Sequence, residues 1–432
     1  MDRDGLAAMP EAGPVPQAEA STPVQTTSGS SFRALRSRPF RIYFVGQVVS
    51  ASGTFLQQTA IGWLVLQLTG SARDLGLVLA ATGIPSLLFG PWGGSVADRV
   101  DLRKLLIGTQ TLFGLLAALL WALAAAGDAS VATLVIIGAT GGVVQIADSP
   151  ARQAFVSRLV GPDDLSSAVS LNGVVINSAR VVGPALAGVL IVTVGTTVCF
   201  GLNAVSYLAV IVALLLIQPR EAVGPVPPGR RGVKDGLRYA ARRQQLWLPL
   251  LMMSVLGLLA FNFAVILPVF AKDTFHGTGG TYGLLTTMLS IGAVLGSLSV
   301  GLIHHPRRPY LLAAALGFGV TLGATAASPD VVTACVTLLL TGAAAFCLVT
   351  LCSTTLQLHT SSGFRGRVMG LWVFVYLGTT PIGSILTGWI TSAGGPRKAL
   401  LVGSGACTAA APLTFFVHTP PNPDLALTDL GR

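Results

Sequence analysis

The sequence predicts an all-α membrane protein, with twelve transmembrane helices in two pseudo-symmetric bundles of six. Three observations predict it. The chain is 52% hydrophobic and only 10% charged, with a mean hydropathy of +0.72; a soluble domain carries about 25% charged residues. A single soluble core of 432 residues would need a charged surface that this composition does not supply, whereas helices in lipid satisfy their own backbone groups. Apolar runs of about 17–27 residues recur twelve times, each long enough to cross the hydrocarbon as a helix. Lysine and arginine are segregated between alternate connections.

Residues 1–37 come first. The first 32 are rich in Pro, Ser, Thr, Ala and Glu without an apolar run. They lack the basic start and apolar core of a signal peptide, and a disordered cytoplasmic tail is expected. The apolar runs follow at 44–68, 75–97, 105–126, 131–148, 168–193 and 196–217, which place a first six-helix bundle at 38–217. Gly195 and its neighbours mark the turn between the fifth and sixth. Residues 218–245 form a basic linker carrying GPVPPGRRG and then KDGLRYAARRQQ, the latter predicting a short amphipathic helix at the membrane surface. Runs at 246–270, 283–303, 309–327, 331–352, 367–391 and 396–417 place a second bundle at 246–418, followed by a C-terminal tail at 419–432.

An even number of spans puts both termini on one side. Of the 27 Lys and Arg residues, 22 fall on the side of the termini and four (Arg73, Lys272, Arg397, Lys398) on the other; Arg180 lies inside a span. This asymmetry predicts a multi-pass protein of the cell's inner (cytoplasmic) membrane with both termini cytoplasmic. It also accounts for the net charge of +10 without nucleic acid. The five cysteines (Cys199, Cys335, Cys347, Cys352, Cys407) sit in apolar runs with no paired spacing and read as packing residues.

The halves echo each other at an offset of about 200 residues. PARQAF and DDLSSAVSLN precede a helix with Pro184 and Gly188, and LQLHTSSGFRGRVMG precedes one with Pro381, Gly383 and Gly388. Repeated six-span halves are a transporter architecture with a substrate site between them near mid-membrane.

GGSVADRVDLRK (93–104) concentrates Asp98, Arg99, Asp101, Arg103 and Lys104 in one hinge between the second and third spans. A basic anchor explains the bases but neither Asp98 nor the Gly93-Gly94 pair. The stretch resembles the loop signature of the major facilitator superfamily, in which a carboxylate and bases latch the cytoplasmic gate against the eleventh helix. Gly94, Asp98 and Arg99 match that signature. Asp101 and Leu102 depart from it, leaving Arg103, beside Lys104, as the second base. FRIYFVGQVVSASGTFLQQTAIGWLVLQLTGSA, ADSPARQAFVSRLVG, SLNGVVINSARVVGPALAG and FRGRVMGLW extend the resemblance over nearly the whole chain, toward the branch that includes the enterobactin exporter and drug-efflux relatives. It implies the major facilitator fold.

ARVVGPALAG in the fifth span resembles the antiporter signature of exporters at Gly183, Pro184 and Gly188. Arg180 is the one ionisable side chain placed deep in a span, where burial costs about 2.5–3.5 kcal/mol. It should face water or a partner. Asp148 is the nearest candidate acid, with Arg99 and Arg152 as its alternative partners; Asp148 and Arg180 are the coupling candidates. Gln47, Ser50, Thr54, Gln57 and Gln58 form a polar stripe on the first span. Asn177, Asn262 beside Phe263, and Trp372 with Tyr376 add to a predicted wet cavity suited to amphipathic organic molecules.

The five histidines are unclustered, and no nucleophile elbow, phosphate loop or HExxH is present, so no enzymatic activity, metal or cofactor is expected. The expected function is secondary export of a drug, antibiotic or siderophore by alternating access with proton antiport, carried out by a monomer in the lipid bilayer. An importer or facilitator of a small metabolite, or a non-transporting scaffold, is the alternative.

Overall fold

The computed structural model describes residues 32–97, 100–217, 233–241, 243–302 and 308–414. Among them every regular element is helical. The first half holds α1 (Arg38–Thr69), α2 (Ala72–Ala97), α3 (Leu102–Ala126), α4 (Val131–Leu159), α5 (Leu165–Thr193) and α6 (Thr196–Leu216). A short linker helix, α7 (Val233–Ala241), precedes α8 (Gln244–Leu259) and α9 (Phe263–Val269), which together make one interrupted span. α10 (Gly279–Ser299), α11 (Arg308–Ala327), α12 (Val331–Leu358) and α13 (Ser362–Ala410) follow.

Among the described residues, ten helical stretches are long and apolar enough to cross a membrane. The last of them, Phe364–Ala410, is two spans: Gly395 breaks α13 with φ 81°, a left-handed conformation that a side chain resists. α1, of 32 residues and more polar than the rest, completes the twelve. Gly195, at φ 91°, turns the chain between α5 and α6, where the sequence offered little other punctuation.

Several boundaries differ from the sequence expectation; α12, for one, runs to Leu358 rather than 352. α1 starts at Arg38 rather than 44. α4 continues to Leu159 through Pro150, so Asp148 and Arg152 lie inside a helix rather than at its end and in a loop. The polar ADSPAR stretch hides the continuation, but Ala151, Phe155, Val156 and Leu159 recur at helical spacing and are buried.

The two halves repeat the same packing. α2 lies on α4, α3 on α4 and α6, and α1 on α5; correspondingly α10 lies on α12, α11 on α12 and α13, and α8 on α13. The halves join through α2 against α13 and α5 against α10. One end of the bundle carries residue 32 and the connection to α7, and is called the linker face here; the other is the distal face. Contacts between the halves gather toward the distal face. Trp63 stacks on Tyr282 at 6.4 Å, Lys272 Nζ donates to the Leu66 carbonyl at 2.8 Å, and the Arg73 guanidinium lies 4.6 Å from the Trp389 ring centre. Small residues permit close crossings: a Cβ on Gly283 of α10 would lie 2.5 Å from Gly188 Cα and 2.8 Å from the Pro184 carbonyl oxygen of α5.

α7 matches the predicted amphipathic linker helix and docks on the start of α13. The Tyr239 ring stacks on Phe364 at 4.2 Å, and its hydroxyl lies 3.1 Å from Ser361 Oγ.

Candidate functional site

Two features place a charged side chain among the packed helices. The first is built on α4. Asp148 is fully buried. Its Oδ1 accepts from Thr109 Oγ1 at 2.7 Å and from Gln110 Nε2 at 2.8 Å, both on α3. Its Oδ2 pairs with Arg152 Nη2 at 2.6 Å, one turn along α4. Arg152 Nη1 in turn donates to Gln47 Oε1 of α1 at 2.5 Å. One carboxylate therefore ties three helices together through charge-assisted bonds. Gln110 Oε1 and the Tyr43 hydroxyl are buried beside this network without a hydrogen-bond partner. Of the partners left open by the sequence, Asp148 takes Arg152.

The second feature centres on Arg180, which is half-buried on α5. It lies 15 residues after the first and 13 before the last residue of that helix, about 20 Å from either end at about 1.5 Å per residue. Its guanidinium carbon is 4.9 Å from the Phe346 ring centre on α12 and 5.9 Å from that of Phe55 on α1. Phe261, between α8 and α9, meets Phe346 edge-on at 6.4 Å and Tyr376 of α13 at 6.2 Å. Trp372 stacks on Tyr376 at 6.2 Å. Arg180 of the first half thus points into an aromatic cluster contributed largely by the second. Gly183 makes this possible, because a side chain there would press on Phe55 and Leu56.

The remaining candidates divide. Gln47 is spent on Arg152. Gln57 accepts from Asn203 Nδ2 of α6 at 2.8 Å, and the Thr54 hydroxyl lies 3.4 Å from that of Tyr207. The polar stripe of α1 is therefore largely a seam inside the first half, not the wall of a cavity between halves. Asn262 is also internal. It is 2% exposed and donates to the Gly257 and Leu258 carbonyls at 3.2 and 3.0 Å. These are carbonyls released where α8 breaks. Phe263 is buried against Phe318. Gln58 is exposed and Asn177 half-exposed; each lies one turn from the Arg180 cluster on its helix, beside Phe55 and Arg180 respectively.

In the charged hinge, Gly94 is within α2, while Asp98 and Arg99 lie outside the described residues. Asp101 caps α3, accepting from the Arg103 and Lys104 backbone N–H groups. Lys104 is exposed. Arg103 spends its fork on α6, donating to the Leu214 and Leu215 carbonyls at 2.7 Å each, rather than on an acid. Gly183 seats α5 on α1, and Pro184 and Gly188 form the crossing with α10. Two of the three antiporter-like motif residues thus lie at one of the two main contacts between the halves. Sequence reasoning did not pick out Thr109, Gln110, Tyr43, Phe55 or Phe346. A cavity of about 580 Å³ lies elsewhere, between α3 and α6, lined by Leu115, Trp121, Leu202 and Val205. It is apolar and opens outward, so it faces hydrocarbon.

A twelve-helix, two-half bundle with polar groups at its centre and glycine crossings between halves defines a major facilitator transporter. The transmembrane secretion effector family matches residues 29–429, and the chain belongs to that family. It is 26% identical over 359 residues to the staphyloferrin A transporter of Staphylococcus aureus, covering 80% of this chain and 88% of that one. It is 27% identical over 361 residues to the enterobactin exporter EntS of Salmonella typhimurium, covering 82% and 86%. The multidrug efflux pump Tap of Mycolicibacterium fortuitum is 25% identical over 376 residues, covering 84% and 91%. Among solved structures, an inward-facing, unoccupied bacterial homologue of the human lysosomal transporter Spinster superposes with a TM-score of 0.74 at 13% identity, covering 88% of this chain and 96% of that one. A D-xylose–proton symporter superposes with 0.65 at 15%, covering 89% and 96%. These structures share the fold. The family and fold are those of a multi-pass membrane transporter of small organic substrates, not of an enzyme.

Proposed function

We propose that the protein exports an amphipathic organic molecule from the cytoplasm by alternating access, driven by proton antiport in which Asp148 carries the proton. The observation that carries this reading is the buried Asp148–Arg152 pair, tied to α1 through Gln47 and to α3 through Thr109 and Gln110. An isolated buried charge is costly, so the pair is stable only while both members are charged and bonded. A proton on Oδ2 removes the charge that holds Arg152 and leaves it on Gln47. Gln110 and Thr109 suit both forms, since Oδ1 stays an acceptor for their N–H and O–H groups when Oδ2 carries the proton. Protonation thus loosens α4 from its neighbours, and deprotonation restores the lock.

The names of the relatives support export: one is an enterobactin exporter and one a multidrug efflux pump, beside a staphyloferrin A transporter. The 22-to-4 distribution of bases supports a cytoplasmic linker face, with tails 1–37 and 419–432 on that side in the inner membrane. The gathering of inter-half contacts toward the distal face supports an inward-facing state, with 38–217 and 246–418 as the halves that rock and 218–245 as their tether. The test is gradient-driven uptake of a fluorescent amphipathic dye into energised inverted vesicles, whose outer surface is the cytoplasmic face, comparing the wild type with Asp148→Asn at matched expression. Loss of gradient-driven transport with retained dye exchange is expected; gradient-driven transport at the wild-type rate by Asp148→Asn would refute the assignment.

A further inference from the structure

Arg180 is a charge without a matching charge. Among the described residues, Asp148 is the carboxylate that lies well inside a membrane-length helix, and it is committed to Thr109, Gln110 and Arg152. Among the described residues no carboxylate lies within ion-pair distance of Arg180. Its neighbours are ring faces: Phe346 at 4.9 Å and Phe55 at 5.9 Å. Such contacts return about 0.5–2 kcal/mol against an insertion cost of about 2.5–3.5 kcal/mol at mid-membrane. Arg180, Phe55, Phe346 and Tyr376 are each only half-buried, so the guanidinium and the ring faces remain open to a solute. Gln58 and Asn177, one turn away, add uncharged hydrogen-bonding groups.

We infer that Arg180 and the rings around it form an anion-recognising subsite, which takes the carboxylate of an aromatic organic anion. The guanidinium fork suits a planar carboxylate in two-point contact, and the aromatic body of the ligand stacks on Phe346 and Tyr376. The rings come from both halves, Phe55 from α1 and Phe346 and Tyr376 from α12 and α13. A ligand held there touches both halves at once. This inference rests on the export reading for its place in a transport cycle, but not for its test.

The test is binding to the purified full-length protein in nanodiscs, with no gradient present, so that a failure of proton coupling leaves it untouched. The probes are 2-naphthoate and 2-naphthamide, alike in shape and different in charge, titrated by calorimetry. The wild type is expected to prefer the naphthoate by about tenfold or more, the scale of a hydrogen bond to a charged group. Arg180→Met should abolish that preference while keeping the naphthamide affinity, which also reports a folded site. Arg180→Lys should keep part of the preference, and Phe346→Leu should weaken both probes together. Persistence of the preference in Arg180→Met, or a wild type that binds the two probes equally or binds neither, would overturn the inference.

Discussion

Gly283→Ala places one methyl group where α10 crosses α5. That carbon would lie 2.5 Å from Gly188 Cα and 2.8 Å from the Pro184 carbonyl oxygen, whereas carbons in contact sit about 3.5–4.0 Å apart. Both obstacles are backbone, so no side chain can turn aside and the helices must part by about 1 Å. Overpacking of this kind costs about 1–3 kcal/mol. In the alternating-access account the crossing exists only while the distal face is closed. The penalty then falls on that state alone and shifts the population about 5- to 150-fold toward the distal-open one. The assay is a pulsed electron–electron distance measurement between spin labels on Asp128→Cys and Pro329→Cys, which lie at the distal ends of the two halves. The five free cysteines are replaced first. Gly283→Ala should move the distance distribution to longer values, and Gly283→Leu further. An unchanged distribution in a folded variant would refute the reasoning.

Other substitutions separate the roles assigned above. Arg152→Met leaves Asp148 buried and unpaired, and should lower thermal stability by about 3–5 kcal/mol, read by differential scanning fluorimetry; Asp148→Asn with Arg152→Met should recover much of it. Asn262→Leu strands the Gly257 and Leu258 carbonyls, and should cost about 1–3 kcal/mol with substrate preference unchanged. Gln58→Leu should do the opposite, staying within about 0.5 kcal/mol in stability while altering the ratio of transport rates for a polar and an apolar dye. Asp98→Asn removes the hinge carboxylate that matches the superfamily signature, and should insert normally yet slow dye flux; wild-type flux at matched expression would count against a latch.

The span pattern was legible because lipid leaves the chain few options: backbone groups must pair within each helix, so hydropathy marks most of the spans, with the more polar α1 and the break at Gly395 as the exceptions. The small residues of ARVVGPALAG were conspicuous for a related reason, since close helix crossings in a membrane need them, but the sequence did not say that Gly183 meets α1 while Gly188 meets α10. The polar chemistry was less legible. The apolar run stops at 148, yet α4 continues through Pro150 to Leu159, and the Asp148/Arg152 spacing of four residues acquires its meaning only inside that helix. The stripe at Gln47, Thr54 and Gln57 has the periodicity of a cavity wall, but periodicity does not say whether the facing surface is water or a neighbouring helix; here it is Arg152 and α6. Arg180 was conspicuous on its own. Its partner Phe346 lies in the other half, and nothing local in the sequence links the two.

The central claim is that substrate leaves as a proton enters. The most direct measurement is made in proteoliposomes loaded with a transported dye and a pH-sensitive fluorophore, with dye efflux and lumenal pH recorded together. The account predicts that dye efflux is accelerated by an inward proton gradient, acidifies the lumen in step with dye loss, and loses both effects in Asp148→Asn. Dye efflux that proceeds at one rate with or without the gradient, and moves no protons, would contradict it.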